Sequence, residues 1–371
     1  METQRRSPRF ASISVSFVAL LFAALCATSQ SPPPQPAPNK QPDQHALDLM
    51  SQGLNLAAQG QLAQAEVILE HARTEAPKNL EILKALAQVK DRIGELPAAI
   101  AIFREIANAA PRSTEAHLNL ALALADSTDL NGALDEVSKA VELSPKLAST
   151  HLNRARILAD LHRLDDARAE FVIASHLAPS NPDCFYYSAL VEKENANYAK
   201  ESELLQTVVR LQPRNTTAMN LLGESLLNQS KEKEAIAVWR RLLTIDPNSS
   251  EAAYGLSQAT RTTDPEESKR LMERFHQIQD REKLLHQVNM LGNEANVAIN
   301  NRQWPQAIAT LRQAATLCGD CVMQAAIHKN LGLALCNSGN IPEGETELRI
   351  AFRLNPADPD TLKALKMISH Q

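Results

Sequence analysis

Apolar positions in this chain recur at helical spacing, and a set of larger landmarks recurs at a longer constant one. Prolines stand at Pro77, Pro111, Pro145, Pro179, Pro213 and Pro247, always 34 residues apart. Twenty-four residues before each sits a small residue: Gly53, Ala87, Ala121, Ala155, Ala189 and Gly223. Twelve before stand Ala65, Ala99, Ala133, Ala167, Glu201 and Ala235, and eight before come the bulky Leu69, Phe103, Val137, Phe171, Leu205 and Trp239. This spacing predicts two short antiparallel helices per unit. Small side chains let the backbones approach where the helices cross, and the bulky one fills the space beside them. Proline closes the unit because it lacks an N–H and drives its predecessor out of the α region. One hairpin buries too little to stand alone, so the units must stack into a solenoid with mainly local contacts.

The in-phase units run over about 46–79, 80–113, 114–147, 148–181, 182–215 and 216–249. The register then fails, because Arg281 occupies the next proline position. From Asp264 to Arg302 no proline follows Pro265, and Leu271, Phe275, Ile278, Leu285, Val288, Ala295 and Ile299 recur at intervals of three, four or seven. That stripe predicts one long helix, or two nearly continuous ones, capped by Asp264 with Pro265 in its first turn. Glu266 with Arg270 and Lys269 with Glu273 are spaced for surface pairs. The segment 250–287 reads as a degenerate repeat with this long helix, serving as a spacer or as a dimerisation seam. Two further units follow over 288–358: Ala295, Ala307, Leu311, Ala314 and Gly319 mark one, and Gly332, Gly344, Leu348, Ala351 and Pro356 the other. A capping helix is predicted from Pro359 to about Ile368, within 359–371.

These residues resemble the tetratricopeptide repeat family, whose 34-residue period and small, small, bulky, proline pattern they follow. The resemblance covers most of 46–371 and implies an all-α solenoid of helical hairpins, a right-handed superhelix, with a long helix joining two repeat blocks. Two departures stand out. Glu201 replaces a small residue in the fifth unit, and the family's aromatic near the end of the first helix is Leu56, Lys90, Leu124, Leu158, Glu192 or Leu226. The second and fifth units are therefore expected to be looser.

Residues 1–29 read as an export signal. Arg5, Arg6 and Arg9 precede an apolar run from Phe17 to Ala27, and small residues follow at Thr28 and Ser29. Cleavage is expected after Ala27 or Ser29, giving a periplasmic or secreted protein, and an uncleaved membrane anchor is the alternative. Leu25 before Cys26 departs from the small residue that lipid attachment generally wants. Residues 30–45 form a linker with six prolines between Ser31 and Pro42, which favours polyproline II.

Composition narrows the function classes. The chain has 371 residues, 44% hydrophobic and 4% aromatic, with 11 glycines, a helix-former's mixture that argues against an all-β fold. Its net charge is −5, which makes nucleic acid an improbable partner. Motifs for a zinc hydrolase, a serine hydrolase, a P-loop or a dinucleotide fingerprint are absent from the sequence, so no enzyme activity is expected and no cofactor is assigned. Oligomeric state is not legible.

Beyond the signal lie Cys184, Cys318, Cys321 and Cys336. A Cys318–Cys321 disulfide across an enlarged turn suits an exported chain. The alternative function is a metal-binding or redox accessory protein in which Cys318, Cys321, His328 and Cys336 gather.

The resemblance further implies that first helices line a concave groove, reached by residues two, five, six, nine, twelve and thirteen of each unit. Those positions give Asn119 and Asn153, each closing a triplet begun by His117 or His151, and Asn330 repeats the arrangement after His328. Some family members carry such an asparagine ladder, and a carboxamide both donates to and accepts from a peptide backbone. Here the ladder is interrupted by Tyr187 and Leu221, with Asn220 alongside. Arg156, Tyr186 and Tyr187 complete the groove candidates, among mixed charges that include Lys84, Arg92, Lys193, Glu115, Asp126, Asp160 and Glu224. Each is also readable as an ordinary solvated residue, and Tyr187 as packing between repeats. The expected function is a non-catalytic scaffold or adaptor that binds a peptide or protein partner.

Overall fold

The computed structural model describes residues 42–368, so the expected signal and most of the linker lie outside the described residues. Six hairpins come first: α1 (Pro42–Ala58) with α2 (Leu62–Glu75), α3 (Leu80–Ile93) with α4 (Leu96–Ala109), α5 (Thr114–Asp126) with α6 (Leu130–Leu143), α7 (Ala148–Asp160) with α8 (Leu164–Leu177), α9 (Pro182–Glu194) with α10 (Tyr198–Leu211), and α11 (Thr216–Asn228) with α12 (Glu232–Ile245). Then α13 (Ser250–Thr260) packs on the long α14 (Pro265–Asn300), which also packs on α15 (Trp304–Cys318). A last hairpin, α16 (Gln324–Asn337) with α17 (Ile341–Leu354), is closed by α18 (Pro359–Ile368). No strand occurs among the described residues. Residues 42–45, expected in the linker, are already helical.

Contacts run from each helix to the next, which is the signature of a solenoid. First helices of successive hairpins also touch, α1 with α3, α5 with α7, α7 with α9 and α11 with α13. They therefore line the inside of the curve.

Each hairpin is built as the spacing requires. Leu69, Phe103, Val137, Phe171, Leu205 and Trp239 are all buried, each contributing about 1.5–3 kcal/mol from its burial. Side-chain sizes match across the crossing. A Cβ on Gly223 would fall 2.4 Å from the Trp239 ring, and one on Gly53 would fall 2.6 Å from Leu69 Cγ, so the largest fillers need the smallest partners. Two residues after most prolines, Asn79, Ser113, Asn181, Asn215 and Ser249 cap the next helix by accepting backbone N–H bonds. Leu147 holds that place in the fourth unit without a side-chain cap.

The turn inside each hairpin has its own period. Gly60, Gly94, Thr128, His162, Ala196 and Ser230 all have positive φ, between 53° and 94°. Only two of these six are glycine, and the others carry the strain of a left-handed L-residue.

In the second and fifth units, the charged residues that break the pattern are tied to neighbouring helices. Lys90 reaches Glu66 at 2.5 Å, Glu95 at 3.1 Å and Glu70 at 3.2 Å, so its ammonium ties α3 to the preceding hairpin. Burial alone would lower its pKa, but the three carboxylates prevail and raise it. Glu192, buried in α9, accepts from Arg168 of α8 at 2.6 Å and from Asn197 at 2.8 Å. Opposite charges from neighbouring helices thus occupy the space that apolar packing fills elsewhere. Glu201 is different: it is 1% exposed, and its Oε2 has no hydrogen-bond partner.

Without a proline at 281, α14 runs for 36 residues. Its start is the second helix of the seventh hairpin and its end is the first helix of the eighth. Asp264 caps it by accepting from Glu267 N at 2.9 Å. The expected surface pairs Glu266 with Arg270 and Lys269 with Glu273 do not form. No described helix is long and apolar enough to cross a membrane.

Candidate functional site

The concave face is lined by α3, α5, α7, α9, α11 and α13. At its centre, α7 and α9 bring together four of the expected residues. Arg156 donates to Asn153 Oδ1 at 3.3 Å, its guanidinium lies 4.7 Å from the centre of the Tyr187 ring, and Tyr187 meets Tyr186 edge-on at 5.5 Å. All four are half-buried. The guanidinium is thereby held over an aromatic ring, a favourable arrangement for a cation. Arg156 Nε is buried and has no partner, which leaves one donor of the fork unused.

The asparagines divide into three kinds. Asn119, on α5, and Asn330, on α16, are half-buried and make no hydrogen bond through their side chains. Asn153 donates to Ser149 O of its own helix at 2.8 Å, so part of its capacity is taken. Asn220 is fully engaged: its amide donates to Glu224 at 2.8 Å and its carbonyl oxygen accepts from Trp239 Nε1 at 2.9 Å. It is therefore less free for a groove ladder than Asn119, because it also anchors the buried tryptophan. Asn330 also lies beyond α14, apart from the other candidates in the chain of contacts.

The histidines of the triplets do not serve the groove. His117 Nδ1 lies 2.6 Å from Glu136 Oε2 and its Nε2 3.1 Å from Pro111 O. His151 repeats this with Glu170 at 2.7 Å and Pro145 O at 2.9 Å. Each ring bridges the second helix of its own unit and the proline turn of the preceding one. His328 makes the first of these contacts, with Glu347 at 2.5 Å.

The cations of the groove are largely paired. Lys84 lies 3.1 Å from Glu81 and 3.0 Å from Glu115, and Lys193 lies 2.8 Å from Glu224. Three carboxylates in the last turns of α3, α5 and α7 make neither hydrogen bonds nor ion pairs: Asp91, Asp126 and Asp160. Burial pushes all three carboxyls up; Asp91 adds to the rise at Asp126, and Arg156 opposes it at Asp126 and Asp160. Asp91 was not singled out in the sequence, although it shares the last turn with Arg92.

A second feature was not singled out in the sequence. An open cavity of about 430 Å³ lies between α11, α13 and α14, with Tyr254 and Phe275 in contact at 5.2 Å on its wall. Tyr254 falls at the fifth position of the seventh unit, a signal that continuing the register would have caught.

Cys318 and Cys321 are paired in the structure, with Cα atoms 5.1 Å apart across the end of α15. The alternative four-residue cluster does not assemble among the described residues. His328 is turned toward Glu347, Cys336 packs at Gly344, and the other two sulfurs are joined to each other.

The proline-punctuated hairpins and their shared inner face meet a direct counterpart in sequence. A tetratricopeptide repeat model matches residues 56–124, and a second matches 194–250. The chain contains tetratricopeptide repeats. Repeats of this kind build protein–protein interaction scaffolds and point to protein or peptide partners in general. Similar solved structures include a tetratricopeptide repeat protein from Parabacteroides merdae, 14% identical with a TM-score of 0.49, covering 79% of this chain and 99% of that one. Pseudomonas aeruginosa pilF is 18% identical with a TM-score of 0.49, covering 57% and 97%. YrrB, a TPR protein with an unusual peptide-binding site, is 21% identical with a TM-score of 0.44, covering 48% and 92%. No curated protein matches the sequence.

Proposed function

We propose that this repeat protein is a non-catalytic scaffold that holds an extended segment of a protein partner along its concave face. The observation that carries the reading is the group around α7 and α9. Arg156 with an unused donor, the aromatic pair Tyr186 and Tyr187, and the unpartnered amide of Asn119 are half-buried on the face that curves inward. Unsatisfied polar groups beside aromatic anchors are what a peptide backbone and its side chains engage. Export through the segment 1–29 belongs to the same proposal and accounts for the Cys318–Cys321 pair in an oxidising compartment.

The test is capture of partners by the protein lacking residues 1–29, followed by measurement of affinity with the captured partner. Asn119→Ala combined with Arg156→Ala is expected to weaken binding by about a hundredfold, equivalent to two hydrogen bonds from a charged and an amide donor. Asn220→Ala is expected to lower thermal stability instead, through the Trp239 bond. Unchanged affinity in the double variant would move the site away from this face. Cell fractionation and the mass of the mature chain test export: a cytosolic protein of full mass would refute it.

A further inference from the structure

The cavity between α11, α13 and α14 exists for reasons particular to this chain. Its floor is Trp239, which lies against α13 because Gly255 has no side chain; a Cβ there would stand 2.5 Å from the ring. Its end wall is α14, which supplies Phe275 and Gln279. The polar lining on α11 and α13 is Glu224, Ser250, Glu251 and Gln258, with the Tyr254 hydroxyl.

From this lining we infer that the cavity receives a lysine or arginine side chain presented by the extended partner segment, a proposal that rests on the groove reading above. No cationic side chain lines the cavity. Glu224 is shared with Lys193 and Asn220. Glu251 accepts only from the Ser249 hydroxyl at 3.2 Å and forms no ion pair. Tyr254 is 46% exposed, so its ring is available to a visitor. Aromatic faces beside carboxylates suit a basic residue: its aliphatic stem covers the rings and its head reaches the carboxylates and the two amides. An acidic side chain would meet two like charges, and an aliphatic one would leave the amides and Glu251 without partners as it displaced water. The unpaired Asp160, Asp126 and Asp91 continue the same sign along the concave face.

The experiment uses fluorescein-labelled nonapeptide pools, randomised except for a central Lys, Arg, norleucine or Glu, and reads fluorescence anisotropy with the mature protein. Lys and Arg pools are expected to bind about tenfold more tightly than norleucine, the uncharged counterpart of Lys. That margin is expected to vanish in Glu251→Gln and in Tyr254→Ala and to survive in Tyr254→Phe, with melting temperatures showing that each variant folds. Binding that ignores the central residue, or a basic preference that both variants retain, would overturn the inference and leave the groove reading standing. Failure of every pool to bind the unaltered protein would overturn both.

Discussion

The six proline-ended hairpins and the segment from α13 to α15 are made of the same materials and differ at one kind of position. In the first, each second helix is cut short by a proline after its last turn, and the next helix, except the one that follows Leu147, starts from a side-chain-capped turn. In the second, Arg281 stands where the proline would be and the helix continues. Helix propensity and an apolar stripe are present in both, so what separates two helices from one is a missing N–H at a single place. The first turns of the long helix also wall the cavity at its side, through Phe275 and Gln279.

The largest expected effect comes from imposing the earlier rule on the later segment. Arg281→Pro is expected to cost about 3 kcal/mol or more. It should also split the unfolding curve of the chain into two transitions, one for each block, in urea titrations followed by circular dichroism. A single transition at an unchanged midpoint would show that α14 does not join the blocks energetically.

Within the first block, Glu201 offers a test of the small-residue position that the other five units fill with alanine. Burial pushes its carboxyl up to about 6 from 4.5, with Glu224 adding to the rise and Ser225 and Lys193 opposing it. The folded state therefore binds this proton more tightly than the unfolded chain does. Its contribution is most favourable below about pH 4.5, declines as pH rises to about 6, and is level above that. Glu201→Ala is expected to raise stability at pH 7 by about 2 kcal/mol and to flatten the profile across that window. Urea midpoints at pH 4.5 and 7 check both parts, and equal midpoints for the two proteins at pH 7 would refute the assignment.

The smallest effect concerns the turns. Thr128 is β-branched with φ 68°, at a place where Gly60 and Gly94 stand in the first two units. Thr128→Gly is expected to add about 1 kcal/mol by relieving the left-handed strain, read as a higher thermal midpoint. A lower midpoint would mean that the threonine makes compensating contacts.

These differences also mark what the sequence conveyed. Side-chain volume and proline repeat at fixed spacing, so the hairpins, their boundaries and the long helix were legible from one dimension. The left-handed turn position was not, because Thr128, His162, Ala196 and Ser230 hide a period that only Gly60 and Gly94 announce. Lys90 and Glu192 read as defects until Glu66 and Arg168 on neighbouring helices were seen to meet them. Among the site residues, position within the unit pointed to Arg156, Tyr186 and Tyr187, which α7 and α9 hold near one another. It could not reveal that Asn220 is engaged by Trp239, since that bond depends on the orientation of an indole set by two glycines.

The 36-residue helix has a mechanical consequence. At 1.5 Å per residue it is a strut about 54 Å long, clamped at one end by α13 and at the other by α15. A pull on either block is therefore carried along a beam, which sets a fixed spacing between the two blocks of hairpins.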